Sequence, residues 1–231
     1  MMQRAHLTAC VTLLLTAGTA VAQSHAGEWV SYRDAYRAMV VFDKYGGPKN
    51  LLHNYLQVLP RTSGALEDGV SLLIKGKTLQ TSLALDALGR TTLPLLKAAY
   101  DENAVLAPNR ALGGFTVRPR IALALRADGS YEVTELRAAC EQALGFARHG
   151  DASARSRECV GVRLVFSKKS AEPGARVRSG GAETVLPVTR AAAFAGDVDV
   201  DFPVVTYRFG PADTAQVVTY NAPLAVVPLF E

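Results

Sequence analysis

The chain has 231 residues, carries 25 Lys and Arg against 21 Asp and Glu, and is 49% apolar, with a net charge of +4. So near a balance of charge excludes the strongly basic footprint of a nucleic-acid binder, and the apolar content excludes a largely disordered chain. The length is enough for one or two domains with cores of their own.

The first residues read MMQRAHLTACVTLLLTAGTAVAQS. Arg4 and His6 supply a short basic start, residues 7–19 are mostly apolar, and Ala20-Val21-Ala22 places small residues where a signal peptidase reads them. The expectation is a cleaved signal peptide over residues 1–22, a mature start near Gln23, and a periplasmic or secreted protein. The apolar run is shorter than the roughly 20 residues of a membrane helix and no second run follows, so no integral membrane segment is expected. Leu7-Thr8-Ala9 before Cys10 suggests a lipoprotein box, but the apolar core lies after Cys10 rather than before it, which argues against lipidation. Cleavage leaves 24 basic against 21 acidic residues, a charge of +3, and two cysteines.

Ser31, with Asp34 three residues on, is close to a capping box, and Tyr32, Tyr36, Met39 and Val40 share one helical face before Gly46-Gly47-Pro48. A helix over residues 31–44 is expected, its aromatic stripe packing on the body. Residues 70–74, 78–85 and 90–95 are short apolar or alternating runs punctuated by Gly76 and Gly89, the pattern of a β-meander. Pro94 suits the start of a helical turn in LLKAAYDE. Residues 115–126 read as extended, and Ala127-Asp128-Gly129-Ser130 as a turn into residues 131–133. Residues 134–148 form a second helix, with Leu136, Ala139, Cys140, Ala143, Leu144 and Ala147 on one face. Strands resume with VGVRLVF, TVLPV, DVDVDF, VVTYRF, QVVTY and LAVVPLF, and KKSAEPGARVRSGGAE reads as a polar loop.

Two blocks recur in order. Residues 69–77, GVSLLIKGK, match 161–169, GVRLVFSKK, and residues 91–99, TTLPLLKAA, match 184–192, TVLPVTRAA. Matches spaced 92 and 93 residues apart suggest two copies of one β-unit. The fold expected is mainly β with two helices. It consists of two tandem sandwich-like repeats, or one pseudo-symmetric sandwich from both halves, with an N-terminal and a connecting helix. The divisions are a signal over 1–22, an N-terminal helical segment over 23–52, β-unit 1 over 53–133, a connecting helix and loop over 134–158, and β-unit 2 over 159–231.

Leu85-Asp86-Ala87-Leu88-Gly89-Arg90 followed by Leu93-Pro94 resembles the transthyretin-like, carboxypeptidase-regulatory type of β-sandwich module, over some 30 residues of the first copy. The second copy has RSGGAE where that turn would be. The whole chain, with its signal and cysteine pair, also resembles exported proteobacterial proteins that carry no assigned activity. The sandwich resemblance implies a binding or stabilising module.

The chemistry-bearing residues are few. After cleavage only His25, His53 and His149 remain, and no G-x-S-x-G, H-E-x-x-H, Walker loop or G-x-G-x-x-G is present. GDVDVDF has Phe202 and Arg208 where a calcium loop needs Gly and Glu, so it reads as a strand with Asp197, Asp199 and Asp201 on its wet face. Arg163, Lys168, Lys169, Arg176 and Arg178 against Glu172 read as a solvated basic loop, with an anionic envelope polymer or lipid head group as the sharper alternative. Cys140 and Cys159 lie 19 apart, too few ligands for zinc and too far apart for a helix-start redox pair, and in an oxidising compartment they are expected to form a disulfide. No catalytic, cofactor-binding or metal-binding residue is assigned. The function expected is an exported, non-enzymatic binding or interaction module of the cell envelope, its partner an envelope protein or polymer. The alternative is a hydrolase-like enzyme with a site assembled from distant residues around His53 or His149.

Overall fold

The computed structural model describes residues 28–61, 66–210 and 214–231. The expected signal peptide over residues 1–22, Gln23 and His25 lie outside them. The fold is mainly β, with antiparallel sheets and three helices.

The first half runs β1 (Val30–Ser31), α1 (Tyr32–Lys44), β2 (Leu52–Pro60), β3 (Ser71–Lys75), β4 (Gln80–Ala84), β5 (Arg90–Thr91), α2 (Lys97–Asp101), β6 (Val105–Pro108) and β7 (Phe115–Leu123). The second runs β8 (Ser130–Glu132), α3 (Val133–Gly150), a 3-10 turn (Ala152–Ala154), β9 (Cys159–Val165), β10 (Ala175–Ser179), β11 (Ala182–Val185), β12 (Val188–Ala191), β13 (Phe202–Arg208), β14 (Gln216–Thr219) and β15 (Ala225–Phe230).

Helix α1 begins where its sequence says: the Ser31 hydroxyl accepts from the Asp34 amide at 3.3 Å, and Tyr32, Ala35 and Met39 are buried along one face. Helix α3 buries Val133, Leu136, Ala139, Cys140, Ala143 and Leu144 in the same way. Pro94 does not open α2; it lies two residues before the cap Leu96, whose amide bonds back to its carbonyl.

The strands form two small sheets, ordered β1-β6-β3-β4 and β8-β14-β10-β11, and one large sheet, ordered β12-β13-β9-β15-β7-β2-β5. One row of paired residues, Leu52, Leu123, Val226, Leu164 and Val205, crosses five strands of the large sheet and lies wholly in the core under α3. A companion core joins α1 to Leu56, Val58, Leu72, Ile74, Leu106 and Phe115. Each small sheet thus faces its half of the large sheet across a core that one helix completes, a sandwich-like layering.

The sequence match equates residues 69–77 with 161–169, but the strand partners do not follow it. Strand β3 lies between β4 and β6 in a small sheet, whereas β9 lies between β13 and β15 in the large one. A GV-apolar run suits any strand buried on one face, so the match carried no register. What recurs is the order of pairing. Strands β1, β6, β3 and β4 stand to one another as β8, β14, β10 and β11 do, and β7, β2 and β5 as β15, β9 and β13 do. The Tyr32 amide donates to the Ala104 carbonyl at 3.0 Å, and the Val133 amide to the Ala215 carbonyl at 3.0 Å, the same bond at the start of each helix. On this order α3 belongs with the second half rather than connecting two units, and the division falls near residues 127–129, because β8 pairs with β14. The halves share one sheet through β7 and β15, at Leu123 and Val226.

Other expectations change too. Strand β2, in the middle of the first half of the large sheet, was not expected. The polar loop holds β10, in which Arg176 and Arg178 alternate with buried Ala175 and half-buried Val177. The run DVDVDF is no strand before Phe202, and its side chains are inverted: Val198 and Val200 are exposed while the Asp197 carboxyl is 7% exposed. Among the described residues no helix is long and apolar enough to cross a membrane.

Candidate functional site

The residues singled out in the sequence do not converge. His53 is exposed on β2, 6.0 Å from the Tyr55 ring, and lines a shallow groove with Asp43 but forms no hydrogen bond with it. His149 lies in the last turn of α3, 5.3 Å from the Tyr45 ring. The basic cluster is divided among local partners. Lys168 binds Asp199, Lys169 binds Asp68, Arg178 binds Glu183, and Arg163 donates to the Ala192 carbonyl. Cys140 and Cys159 are brought together at a Cα separation of 6.0 Å, within disulfide-bonding distance, between α3 and the start of β9. No group of three or more His, Cys, Asp or Glu among the described residues is placed to hold a metal ion.

The site with the most unusual chemistry lies on the face of the large sheet turned away from the helices. Strand alternation puts Tyr55 and Gln57 on that face, because Leu56 and Val58 point into the core. Cross-strand pairing sets Arg90 beside Gln57 on β5, Arg118 beside Gln57 on β7, and Arg120 beside Tyr55. The result is a polar row, Arg90–Gln57–Arg118, with Arg120 one step along.

Residues 192–201, between β12 and β13, cross this face as a strap. Ala193 and Phe194 anchor it among Leu88, Val165, Phe202, Val204 and Ala225. A turn follows, with the Asp197 amide bonded to the Phe194 carbonyl at 3.1 Å and Gly196 at φ +80°, a conformation that favours glycine. That turn drives Asp197 into the row. Its Oδ1 accepts from both Arg118 and Arg120, and its Oδ2 accepts from Gln57 Nε2 at 3.1 Å. Gln57 also donates to the Leu88 carbonyl at 3.1 Å and accepts from Arg120 Nε at 2.6 Å. The Arg120 guanidinium stacks on Phe194, 4.7 Å from the ring centre. Burial pulls its pKa below the usual arginine value, against the opposing pull of Asp197.

Arg90 is the most buried cation, its side chain 3% exposed. It holds Asp86 Oδ2 through Nε and Nη2 at 2.9 and 2.7 Å, donates to the Leu224 carbonyl at 2.6 Å, and lies 4.5 Å from the Tyr55 ring centre. Three guanidiniums thus meet two carboxylates. Among the described residues no acceptor reaches Arg90 Nη1 or Arg118 Nε, although both atoms are buried. An unpaired buried donor of this kind costs about 1–3 kcal/mol and calls for an explanation.

Beside the row is a cavity of about 160 Å³, lined by Gln57, Arg118 and Asp197, by Asp199, whose carboxylate is held by Lys168, and by Leu59, Leu66, Leu88 and Phe202 elsewhere. Its shape and mixed lining suit a small ligand with one anionic end. The other half of the sheet shows what the scaffold itself needs. On the same face of β9, β13 and β15 stand Val165, Val204, Ala225 and Val227, packed beneath the anchored part of the strap, with Arg163, beside Val227 and Thr206, donating to the Ala192 carbonyl. The cluster of three guanidiniums is thus particular to the first half of the sheet.

The signal for this site was partly present in the sequence. Arg118-Pro119-Arg120 within an expected strand puts two cations on one face, and Asp197 stood in a singled-out run. Arg90 stood in the Asp86-to-Arg90 turn, but nothing there linked it to this face, and Gln57 gave no signal, since only pairing across β2, β5 and β7 brings them in. No protein-family model, curated protein or solved structure matches the chain.

Proposed function

We propose that the protein is an exported, non-catalytic binding module of the bacterial envelope, and that its ligand enters the cleft between the polar row and the strap. The observation that carries this reading is the row itself: three guanidiniums against two carboxylates, with Arg118 lining a cavity and its buried Nε left without an acceptor among the described residues. The export half rests on the basic start, apolar run and Ala20-Val21-Ala22 of the first 22 residues. His53 and His149 have neither a serine nor a carboxylate hydrogen-bonded to them among the described residues, which favours binding over the hydrolase-like alternative.

The test is thermal unfolding of the mature chain in the presence of small-molecule fractions from native envelope extract. A ligand at 100 times its Kd stabilises by about 2.7 kcal/mol. The expected result is a raised Tm with a fraction retained on an anion exchanger, lost in Arg118→Met. If no fraction raises the Tm, or the Arg118→Met chain responds as the parent does, the reading fails.

A further inference from the structure

The geometry points to a binding site for a small monocarboxylate with an apolar body, in which the strap residue Asp197 is the resident stand-in for the ligand's carboxylate. The inference rests on the cleft being the binding site. It adds what binds there and what competes with it.

The donor set is that of a carboxylate receptor. Arg118 and Arg120 converge on one oxygen of Asp197, and Gln57 Nε2 donates to the other at 3.1 Å. Planar guanidiniums with a side-chain amide match the in-plane lone pairs of a carboxylate and give little to an amine or an alcohol. The charge points the same way. Arg90 and Asp86 neutralise each other, which leaves Arg118 and Arg120 with only Asp197. With Asp197 displaced, one incoming monoanion restores the single negative charge that it takes away.

The apolar body follows from the rest of the cavity. Leu59, Leu66, Leu88 and Phe202 line it, and a volume of about 160 Å³ is of the order that holds a benzene-sized group. Arylacetates and fatty acids of about six carbons share that chemistry.

The strap is built to give way at one place. Phe194 is 3% exposed and Ala193 1%, so the anchor is fixed. Beyond Gly196, Val198 lines the cavity mouth and is 69% exposed, so its side chain holds nothing down. Asp199 is tied separately, to Lys168. Rotation at Gly196 would carry Asp197 out of the row and leave its donors to an incoming carboxylate. No bond is made or broken; one carboxylate replaces another.

The experiment is calorimetric titration of the mature protein with phenylacetate and hexanoate, with phenylacetamide as the uncharged control. Asp197→Asn keeps the size of the strap residue and removes its charge. Both carboxylates should bind this variant at least tenfold more tightly than the parent, phenylacetamide should gain nothing, and Arg118→Met in the Asp197→Asn background should lose the gain. Equal or weaker binding to Asp197→Asn, or an equal gain for phenylacetamide, overturns the inference. Because the amide control uses one folded protein, the result does not depend on how Arg118→Met folds. If extract fractions stabilise the parent while phenylacetate and hexanoate bind neither protein, the ligand class is wrong and the cleft still binds. If no extract fraction stabilises it, the cleft itself is not the site.

Discussion

Replacing Arg90 by methionine should lower stability by about 3 kcal/mol. Breaking one side of a buried ion pair costs 3–5 kcal/mol, because the remaining charge is left without compensation. The lower end applies here: Asp86 is 35% exposed and keeps hydrogen bonds from the Leu88 and Arg90 amides at 2.9 Å each. The Leu224 carbonyl also loses its side-chain donor and the Tyr55 ring its guanidinium, while methionine retains most of the apolar stem. For a chain of this size 1 kcal/mol moves the Tm by about 2–4 °C, so a fall of roughly 6–12 °C is expected. Urea unfolding followed by far-UV circular dichroism measures the free energy, and a cycle with Asp86→Ala isolates the pair. Asp86→Ala alone should cost at least as much as Arg90→Met, since it strands a guanidinium that is 3% exposed, and the double variant should cost little more than either. A loss under 1 kcal/mol for Arg90→Met, with the two single effects simply additive, would refute the view that Arg90 is held by Asp86 against a desolvation cost.

Three further outcomes rest on other parts of the fold. In Gly161→Ala the new Cβ would stand 2.2 Å from the Tyr207 carbonyl oxygen and 3.0 Å from Arg208 Cα, both backbone, so a loss of about 1–3 kcal/mol or more is expected in urea unfolding, and a neutral result would mean that β13 moves aside easily. Cys140→Ser with Cys159→Ser should cost about 3 kcal/mol on the loop-entropy model for a separation of 19 residues, and non-reducing mass spectrometry of the parent should show no free thiol. Burial raises the pKa of both Tyr32 and Tyr131, so folding favours their neutral forms. That contribution is complete below the ordinary tyrosine pKa near 10 and is lost as pH climbs through the raised values. Stability should therefore fall above about pH 10, and less so in Tyr32→Phe with Tyr131→Phe than in the parent, measured as the pH dependence of Tm.

The two long helices were legible because their signals are local. Ser31 caps α1, and the burial of Leu136, Ala139, Cys140 and Ala143 follows the 3.6-residue period. Strand β2 was not, since its core-facing positions are Leu52, Asn54, Leu56 and Val58, and Asn54 breaks the apolar alternation where its amide reaches the Met39 carbonyl. The run from Asp197 to Phe202 shows a deeper limit. Its two-residue period was real, yet it served a strap rather than a strand. Period alone places alternate side chains on opposite faces; it does not say which face meets water. Asp197 and Asp199 turn inward because guanidiniums and Lys168 wait there, partners that come from β7 and from beyond β9, while Asp201 faces water as expected. The candidate site was invisible for the same reason: Gln57, Arg90, Arg118 and Asp197 are up to 140 residues apart, and only strand order joins them.

Comparison of the two halves separates what the scaffold needs from what it merely carries. They share an order of strands and a helix placement, but differ in strand β12 and its strap, which the first half lacks, and in the outer face, where β9, β13 and β15 set Arg163 and Arg208 among apolar residues while β5 and β7 cluster three guanidiniums around Gln57 of β2. Buried ions contribute little to net stability, and exchanging a whole buried cluster for apolar residues of similar size is often neutral or stabilising by about 1–4 kcal/mol. The combined variant Gln57→Leu, Arg118→Leu, Arg120→Leu, Asp197→Leu removes the cluster at once and strands no charge, the Leu88 carbonyl alone losing a side-chain donor. It should fold, unfold at a urea midpoint no lower than the parent's, and fail to bind phenylacetate. An unfolding free energy several kcal/mol lower would show that the polar row holds the strap to the sheet and is architecture. An unchanged or higher midpoint together with lost binding would mean that the row is retained for its ligand at no benefit to the fold.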